Sequence, residues 1–137
     1  MPIAYLIDVA NGIVYSRGWG VLTDAEIAAH ASTLSKDPRF DPSFRQIVDF
    51  RELTDIKVTG AGVRDVARLN PSRRDARRAF VVASGEAFGL TRMFGFFTES
   101  SGEEFRIFRA MEPAYEWIGL DTAAPWPAQA PDATFGA

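Results

Sequence analysis

The sequence predicts a single α/β domain with a mixed sheet of about five strands. Three observations support this: strand and helix patterns follow the order β-β-α-β-α-β-α-β-α, an Asn-Gly turn joins the first two strands, and a buried strand near the middle leads into a capped helix. Strands separated by helices need right-handed crossovers and therefore pair in parallel. We expect a parallel core with an N-terminal antiparallel hairpin at one side.

The first elements are a hairpin and a helix. Asn11-Gly12 tolerates the positive φ angles of a tight turn, so the flanking segments, residues 3–8 and 13–18, are predicted to be antiparallel strands. Thr23 and Glu26 then form a capping box. The helix that it starts is predicted from Asp24 to Ser35, and two closely spaced prolines follow it.

The centre of the fold is predicted where the third strand leads into the second helix. Gln46 to Phe50 indicates a short buried strand, and Thr59 caps a helix that begins at a glycine-rich turn. Free backbone amides at a helix start attract anions. A phosphate or carboxylate is therefore expected to bind beside Thr59.

The C-terminal half is predicted to add two strands, two helices and a tail. Residues 80–83 form a continuous apolar run, which is typical of a strand covered on both faces, and Ser84 caps a helix over residues 86–99. Residues 104–108 alternate as a last strand, and Pro113 suits the first turn of a final helix. We expect one domain over residues 1–120 and an extended Ala/Pro-rich tail over residues 121–137.

The third helix has more large apolar side chains than one buried stripe requires. At 100° per residue, the side chains predicted to share one broad buried face are Ala87, Leu90, Met93, Phe94 and Phe97. Phe88 and Phe96 fall outside that face. We expect another protein or a second copy of the chain to cover a surface formed by Phe88, Arg92 and Phe96, the alternative being that the tail covers the two rings.

The composition argues against several classes of protein. The chain has 137 residues, a formal net charge of -3 and no Cys, so it has no disulfide framework, thiolate zinc site or cysteine nucleophile. Nucleic-acid binding is not expected, because it usually needs a strongly basic face. No apolar run approaches the ~20 residues of a membrane helix, and no signal-peptide pattern is seen, so we expect a cytoplasmic protein.

No catalytic, cofactor or metal site is predicted. The single His, His30, lies at the edge of the first helix's buried stripe and is expected to be a structural or surface residue. No pair of His residues has metal-ligand spacing. Residues 60–65 partly match a dinucleotide fingerprint, but Asp65 stands where the third glycine belongs. The glycines are better explained by a sharp turn into the helix.

Four arginines lie close together in the sequence: Arg73, Arg74, Arg77 and Arg78. They allow two interpretations, a binding patch or the solvated end of a helix or strand, and the second is the commoner one.

Several segments together carry a family resemblance. They are the opening hairpin, Leu22-Thr23-Asp24-Ala25-Glu26, Asp37-Pro38-Arg39-Phe40, Val48-Asp49-Phe50-Arg51, Phe105-Arg106-Ile107-Phe108 and Trp117-Ile118-Gly119-Leu120. In this order and spacing, over about residues 3 to 120, the chain resembles the STAS (SpoIIAA-like) fold of the bacterial STAS/Sec14-like branch. The resemblance implies a non-enzymatic regulatory domain that binds a protein partner.

The resemblance also implies a candidate phosphorylation site. In partner-switching members, a strand is followed by Asp-Ser-Ser-Gly, and the second serine caps a helix and is phosphorylated by a kinase. Matching Gly60 to that glycine places Thr59 on the phosphorylated serine and Lys57 on the aspartate. Thr59 is therefore a candidate phosphosite, although both positions differ from the family pattern.

Two functions follow from these observations. The first is a STAS-like interaction domain that associates with itself or with another protein through the third helix. The alternative, suggested by the resemblance to Sec14-like lipid-binding domains, is a carrier or sensor of a small apolar, anionic or lipid ligand. Its site is expected at the carboxyl ends of the parallel strands. The residues expected to converge there are Asp49, Arg51, Thr59, Gly60 and Ser84.

Overall fold

The computed structural model describes residues 3–69, 76–98 and 104–119, which form a mixed five-stranded sheet and four helices. The strands are β1 (Ile3–Asp8), β2 (Ile13–Thr23), β3 (Arg45–Lys57), β4 (Arg77–Val81) and β5 (Glu104–Phe108). The helices are α1 (Asp24–Lys36), α2 (Gly60–Arg68), α3 (Gly85–Thr98) and α4 (Met111–Ile118). The predicted element order is confirmed. The expected tail and Arg73 and Arg74 lie outside the described residues.

The strands follow one another across the sheet in the order β1-β2-β3-β4-β5. β1 pairs with β2 antiparallel, and all later neighbours pair in parallel. Gly12 has a φ of 65° in the turn between β1 and β2, and the Asn11 side chain donates to Asp8 Oδ2 at 2.8 Å. The predicted hairpin and parallel core are therefore both present, and β3 lies in the middle of the sheet.

Strand β3 is longer than predicted. Only Gln46 to Asp49 pair with β4, whereas the pairing with β2 continues to Lys57 through two register shifts. Residues 50–57 thus form a two-stranded ribbon with β2 that extends past the β3–β4 pairing. The sequence pattern did not predict this extension, because it contains the exposed charged residues Arg51, Glu52 and Asp55. The continuous apolar pattern of a buried strand stops where one face of the strand meets solvent.

The two faces of the sheet are covered by different helices. Ile47 and Val81 face α4 and pack with its buried Ala114 and Ile118. Val48 and Phe80 face the opposite side, where they pack with side chains of α2 and α3. Successive strand residues point to opposite faces, so neighbours such as Ile47 and Val48 belong to separate cores.

Helix α3 buries a stripe that only partly matches the predicted face, since Ala87 and Phe94 are buried as predicted. Its buried residues are Ala87, Thr91, Phe94 and Thr98, spaced at i, i+4, i+7 and i+11. Met93 and Phe97 are each 37% exposed, so the prediction that they share the buried face was wrong. The sequence pattern gave too little weight to threonine. Thr91 Oγ1 donates to the Ala87 carbonyl at 2.7 Å, so its hydroxyl is buried with a partner.

Candidate functional site

A largely apolar cleft of about 120 Å³ lies between the sheet and helices α1, α2 and α3. Val48, Phe50 and Phe80 form part of its floor, and Ile27 of α1 and Val63 of α2 form part of its walls. Apolar cavities of about 150 Å³ are known to bind benzene, and the cleft is of comparable size. A single aromatic ring or a short alkyl chain is of this size.

The extension of β3 supplies much of the apolar lining. Leu53 and Ile56 lie on the ribbon beyond the β3–β4 pairing and also line the cleft. Leu90 of α3 contributes from the helix layer. The length of β3, which the sequence did not reveal, is therefore what lengthens the apolar floor.

Three adjacent strands place a row of polar side chains in this apolar floor. The row consists of Ser16 of β2, Gln46 of β3 and Arg78 of β4, and all three are buried. Gln46 Nε2 donates to Ser16 Oγ at 3.0 Å, and Gln46 lies directly opposite Arg78 in the strand register. The Arg78 guanidinium lies over the Phe94 ring, 5.2 Å from its centroid.

His30 of α1 contacts one end of this row, at Ser16. Its Nε2 lies 3.2 Å from Ser16 Oγ, and its ring meets the Tyr5 ring edge to face. Burial, followed by the positive charge of Arg78, lowers the pKa of His30 to about 4, so the imidazole is neutral at pH 7. Ser16 Oγ also accepts from Gln46, and the direction of its hydrogen bond with Nε2 depends on the tautomer of the imidazole.

Asp49 and Arg51 form a closed pair on the other face of the sheet. Asp49 is 1% exposed and accepts three hydrogen bonds from Arg51, from its backbone N at 3.0 Å and from Nε and Nη2 at 2.9 Å. Tyr115 of α4 belongs to this neighbourhood, and burial together with the charges of Tyr15 and Asp49 raises its pKa to about 12. The Asp49 carboxylate is thus satisfied within its own strand.

Thr59 links the starts of two helices. It caps α2, as predicted, because its Oγ1 accepts from the Gly62 backbone N at 3.0 Å. Its own backbone N and Oγ1 donate to the Asp24 carboxylate at 2.9 and 2.7 Å. Gly60 begins α2 and faces Met93 of α3. We call the Asp24–Thr59 hydrogen bonds the α1–α2 junction.

The five residues expected to form one site are not brought together. Asp49 and Arg51 lie on the α4 side, Thr59 and Gly60 lie at the α1–α2 junction on the opposite side, and Ser84 caps α3 by accepting from the Ala87 backbone N at 3.0 Å. The separation has two causes. Successive strand residues face opposite ways, and the long β3 carries Thr59 beyond the β3–β4 pairing.

The cleft residues Gln46 and Arg78, and Ser16 beneath the cleft, were not predicted as site residues. A signal was present, since each is a polar residue at an inward-facing position of a strand, and buried polar residues need partners. Of the arginines expected to be solvated, Arg77 is largely exposed and pairs with Glu104 at 3.0 Å. Arg78 is only 5% exposed, so that interpretation was wrong for it.

The two aromatic rings of the predicted partner surface on α3, Phe88 and Phe96, differ in their exposure to solvent. Phe88 is half-buried, with the guanidinium groups of Arg92 and Arg109 lying 6.0 and 5.1 Å from its ring centroid. Phe96 is 71% exposed and meets the Phe97 ring edge to face. The most exposed ring on this helix is therefore Phe96.

Residues 3–69, 76–98 and 104–119 contain no group of three or more His, Asp or Glu side chains that could hold a metal ion. Within the same ranges, no helix is both long and apolar enough to span a membrane.

Comparisons with known proteins identify the fold. A crystal structure of an uncharacterized protein from the DUF3478 family, from Shewanella loihica PV-4 and with a SpoIIAA-like fold, matches this chain with a TM-score of 0.57 and 18% sequence identity. The match covers 85% of this chain and 93% of the other. No family model matches the sequence, and no curated protein is similar to it. The chain has a SpoIIAA-like fold, which confirms the fold implied by the sequence resemblance.

Proposed function

We propose that this protein is a non-catalytic binding protein that holds a small apolar molecule in the cleft between the sheet and helices α1 to α3. The cleft itself carries the proposal: about 120 Å³ of space is lined mainly by aliphatic and aromatic side chains. Ligand sites are typically apolar hollows with a few convergent polar groups, and Gln46, Arg78 and His30 supply such groups in the lining of this cleft.

A non-catalytic role is supported by the state of the polar groups beside the cleft. The neutral His30 is hydrogen-bonded to Ser16, which also accepts from Gln46. Ser16 is fully buried beneath the imidazole and is not among the residues that line the cleft. This arrangement orders the floor and leaves the serine hydroxyl shielded from a bound molecule.

Titration calorimetry and thermal unfolding with toluene and 1-hexanol test the proposal. A ligand at a hundredfold excess over its Kd stabilises the folded state by about 2.7 kcal/mol, which raises the melting temperature. Ala31→Phe should abolish binding, because Ala31 lines the cleft and a phenyl ring would fill it. Ala25→Phe is the matched control, since Ala25 is an exposed residue of the same helix. Absence of binding by the unaltered protein would refute the proposal.

A second candidate function is self-association through α3. Phe96 is 71% exposed, and Met93 and Phe97 are each 37% exposed. An exposed aromatic patch on one helix is suited to a symmetric dimer, in which the same patch of two copies meets itself. The half-buried Phe88 and the flanking Arg92 would then lie at the rim of this contact.

Light scattering coupled to size-exclusion chromatography tests the dimer. The unaltered chain is expected to elute with the mass of two copies, and Phe96→Asp with the mass of one. Val9→Asp is the control, because Val9 is an apolar, exposed residue in the β1–β2 turn. A monomeric unaltered chain at high concentration would end this proposal and leave the cleft proposal untouched.

A further inference from the structure

We propose that the ligand of the cleft carries one hydroxyl group, which donates a hydrogen bond to Oε1 of Gln46 while its apolar body lies over Val48 and Phe50. This inference rests on the proposed function, because it assigns the chemistry of the molecule that the cleft would hold. It follows from the burial of Gln46, from the hydrogen bonds that its side chain makes, and from the order of the residues along the floor.

Gln46 is a buried polar residue whose side chain faces the cleft. It is 7% exposed and lines the space between the sheet and the helices. The backbone groups of a strand residue lie in the plane of the sheet, so the part of Gln46 that meets the cleft is its side chain. Its partner Ser16 is fully buried and is not among the residues that line the cleft. The amide of Gln46 therefore reaches from a buried hydroxyl to the open space.

The Gln46 amide has hydrogen-bonding capacity that the described part of the chain does not use. A side-chain amide offers two N–H donors and a carbonyl oxygen. Within residues 3–69, 76–98 and 104–119, Nε2 donates to Ser16 Oγ at 3.0 Å, and no group donates to Oε1. A buried polar atom without a partner is unfavourable. A hydrogen-bond donor on the ligand would supply the partner of Oε1.

A hydroxyl is the head group that fits both directions of the hydrogen bonds through Ser16. These bonds run from Gln46 to Ser16 Oγ and from there to His30 Nε2, 3.2 Å away, and their direction depends on the tautomer of the imidazole. In the reverse direction the Gln46 amide turns over, its oxygen accepts from Ser16, and its NH₂ group faces the cleft. A hydroxyl can donate to the oxygen or accept from the NH₂ group, whereas a ketone or an ether can only accept.

The floor has a polar end and an apolar end. Along β3 the residues that line the cleft are, in order, Gln46, Val48, Phe50, Leu53 and Ile56. A ligand with its hydroxyl at Gln46 would extend its apolar part over Val48 and Phe50 toward Leu53. This order is the reason for assigning a hydroxyl at one end of an apolar body rather than a molecule that is polar throughout.

Phenol and toluene test the inference, because they differ by a hydroxyl in place of a methyl group. Titration calorimetry gives the ratio of the two affinities in the unaltered chain and in Gln46→Met, which keeps a side chain of similar length without the amide. The ratio of phenol affinity to toluene affinity should fall about tenfold in Gln46→Met, because the buried hydroxyl of phenol then has no partner. The affinity for toluene itself should change little.

Thr91→Val is the matched control, because Thr91 also lines the cleft and its hydroxyl already donates to the Ala87 carbonyl. This variant should leave the ratio unchanged. An equal ratio in the unaltered chain and in Gln46→Met, or a fall in Thr91→Val instead, would overturn the inference and leave the proposed function standing. Failure of both phenol and toluene to bind the unaltered chain would overturn the proposed function itself.

If Gln46→Met does not fold, NMR spectroscopy of the unaltered chain decides. The carbonyl-carbon and nitrogen signals of the Gln46 side chain should shift when phenol is added and shift much less with toluene, because phenol alone forms the hydrogen bond. Shifts of equal size with the two ligands would overturn the inference.

Discussion

His30 should make the stability of this protein depend on pH between 5 and 7. The folded state keeps the imidazole neutral because it is buried beside Arg78, and its pKa falls to about 4 from an ordinary value of 6.5. Below pH 6.5 the unfolded chain binds a proton that the folded chain does not. The contribution of His30 is therefore fully present above pH 6.5 and is lost as the pH falls toward 4.

The expected loss follows from the two pKa values. At pH 7 both states are mostly neutral at this residue, whereas at pH 5 the unfolded chain is almost fully protonated. The difference is about 2 kcal/mol of unfolding free energy between pH 7 and pH 5. Since His30 is the chain's single histidine, no other side chain has an ordinary pKa inside this range.

Urea unfolding at pH 5, 6 and 7 measures this loss, and His30→Gln is the matched variant. Glutamine offers Ser16 a polar partner and does not titrate. The variant loses the ring contact with Tyr5, so its stability is expected to be lower at every pH, and the test is the pH slope alone. Equal slopes for the two proteins, or an NMR titration of His30 with a midpoint near 6.5, would refute the reasoning.

Five substitutions at four positions test the packing of helix glycines, the Thr59 cap and the Asp49 pair by urea unfolding. Gly62→Ala should destabilise the fold by about 2 kcal/mol, because the added methyl group would overlap the Asp24 carboxylate. Gly89→Ala has open space around it and should stabilise the fold by about 0.5 kcal/mol. Equal effects of the two substitutions on the free energy of unfolding would contradict this reasoning. Thr59→Ala should lower the free energy of unfolding by about 1 kcal/mol because the helix cap is lost, and Thr59→Ser should retain most of that free energy. If serine is as destabilising as alanine, the cap is unimportant. Asp49→Asn should cost about 2 kcal/mol, since an amide cannot accept all three hydrogen bonds, and an unchanged stability would contradict the closed pair.

Local chemical signals predicted the fold well. Thr23, Thr59 and Ser84 were assigned as helix caps from short-range patterns, and each accepts the expected backbone N–H. The Asn11-Gly12 turn was recognised in the same way. These features depend on residues within about four positions of one another, so the sequence holds all the information that they need.

The cleft could not be predicted because its parts are distant in the chain. Gln46 and Ser16 are 30 positions apart, Ser16 and His30 are 14 apart, and Arg78 joins them only through the β3–β4 register. Strand order and register place these side chains together, and neither can be read from single-strand patterns. The partial error in the stripe of α3 has a local origin instead, since the Thr91 hydroxyl is buried with a hydrogen bond to the Ala87 carbonyl four positions earlier.

The α1–α2 junction connects the candidate phosphosite to the cleft. Ile27 and Val63 both line the cleft, and they lie one turn inside the two helices that Asp24 and Thr59 join. A phosphate on Thr59 would bring a charge of about -2 against the Asp24 carboxylate. Such a group would separate the two helix starts, because Thr59 Oγ1 now lies 2.7 Å from Asp24 Oδ2. Modification at this residue would therefore weaken ligand binding by moving a wall of the cleft, so switching and binding would be two uses of the same pair of helices.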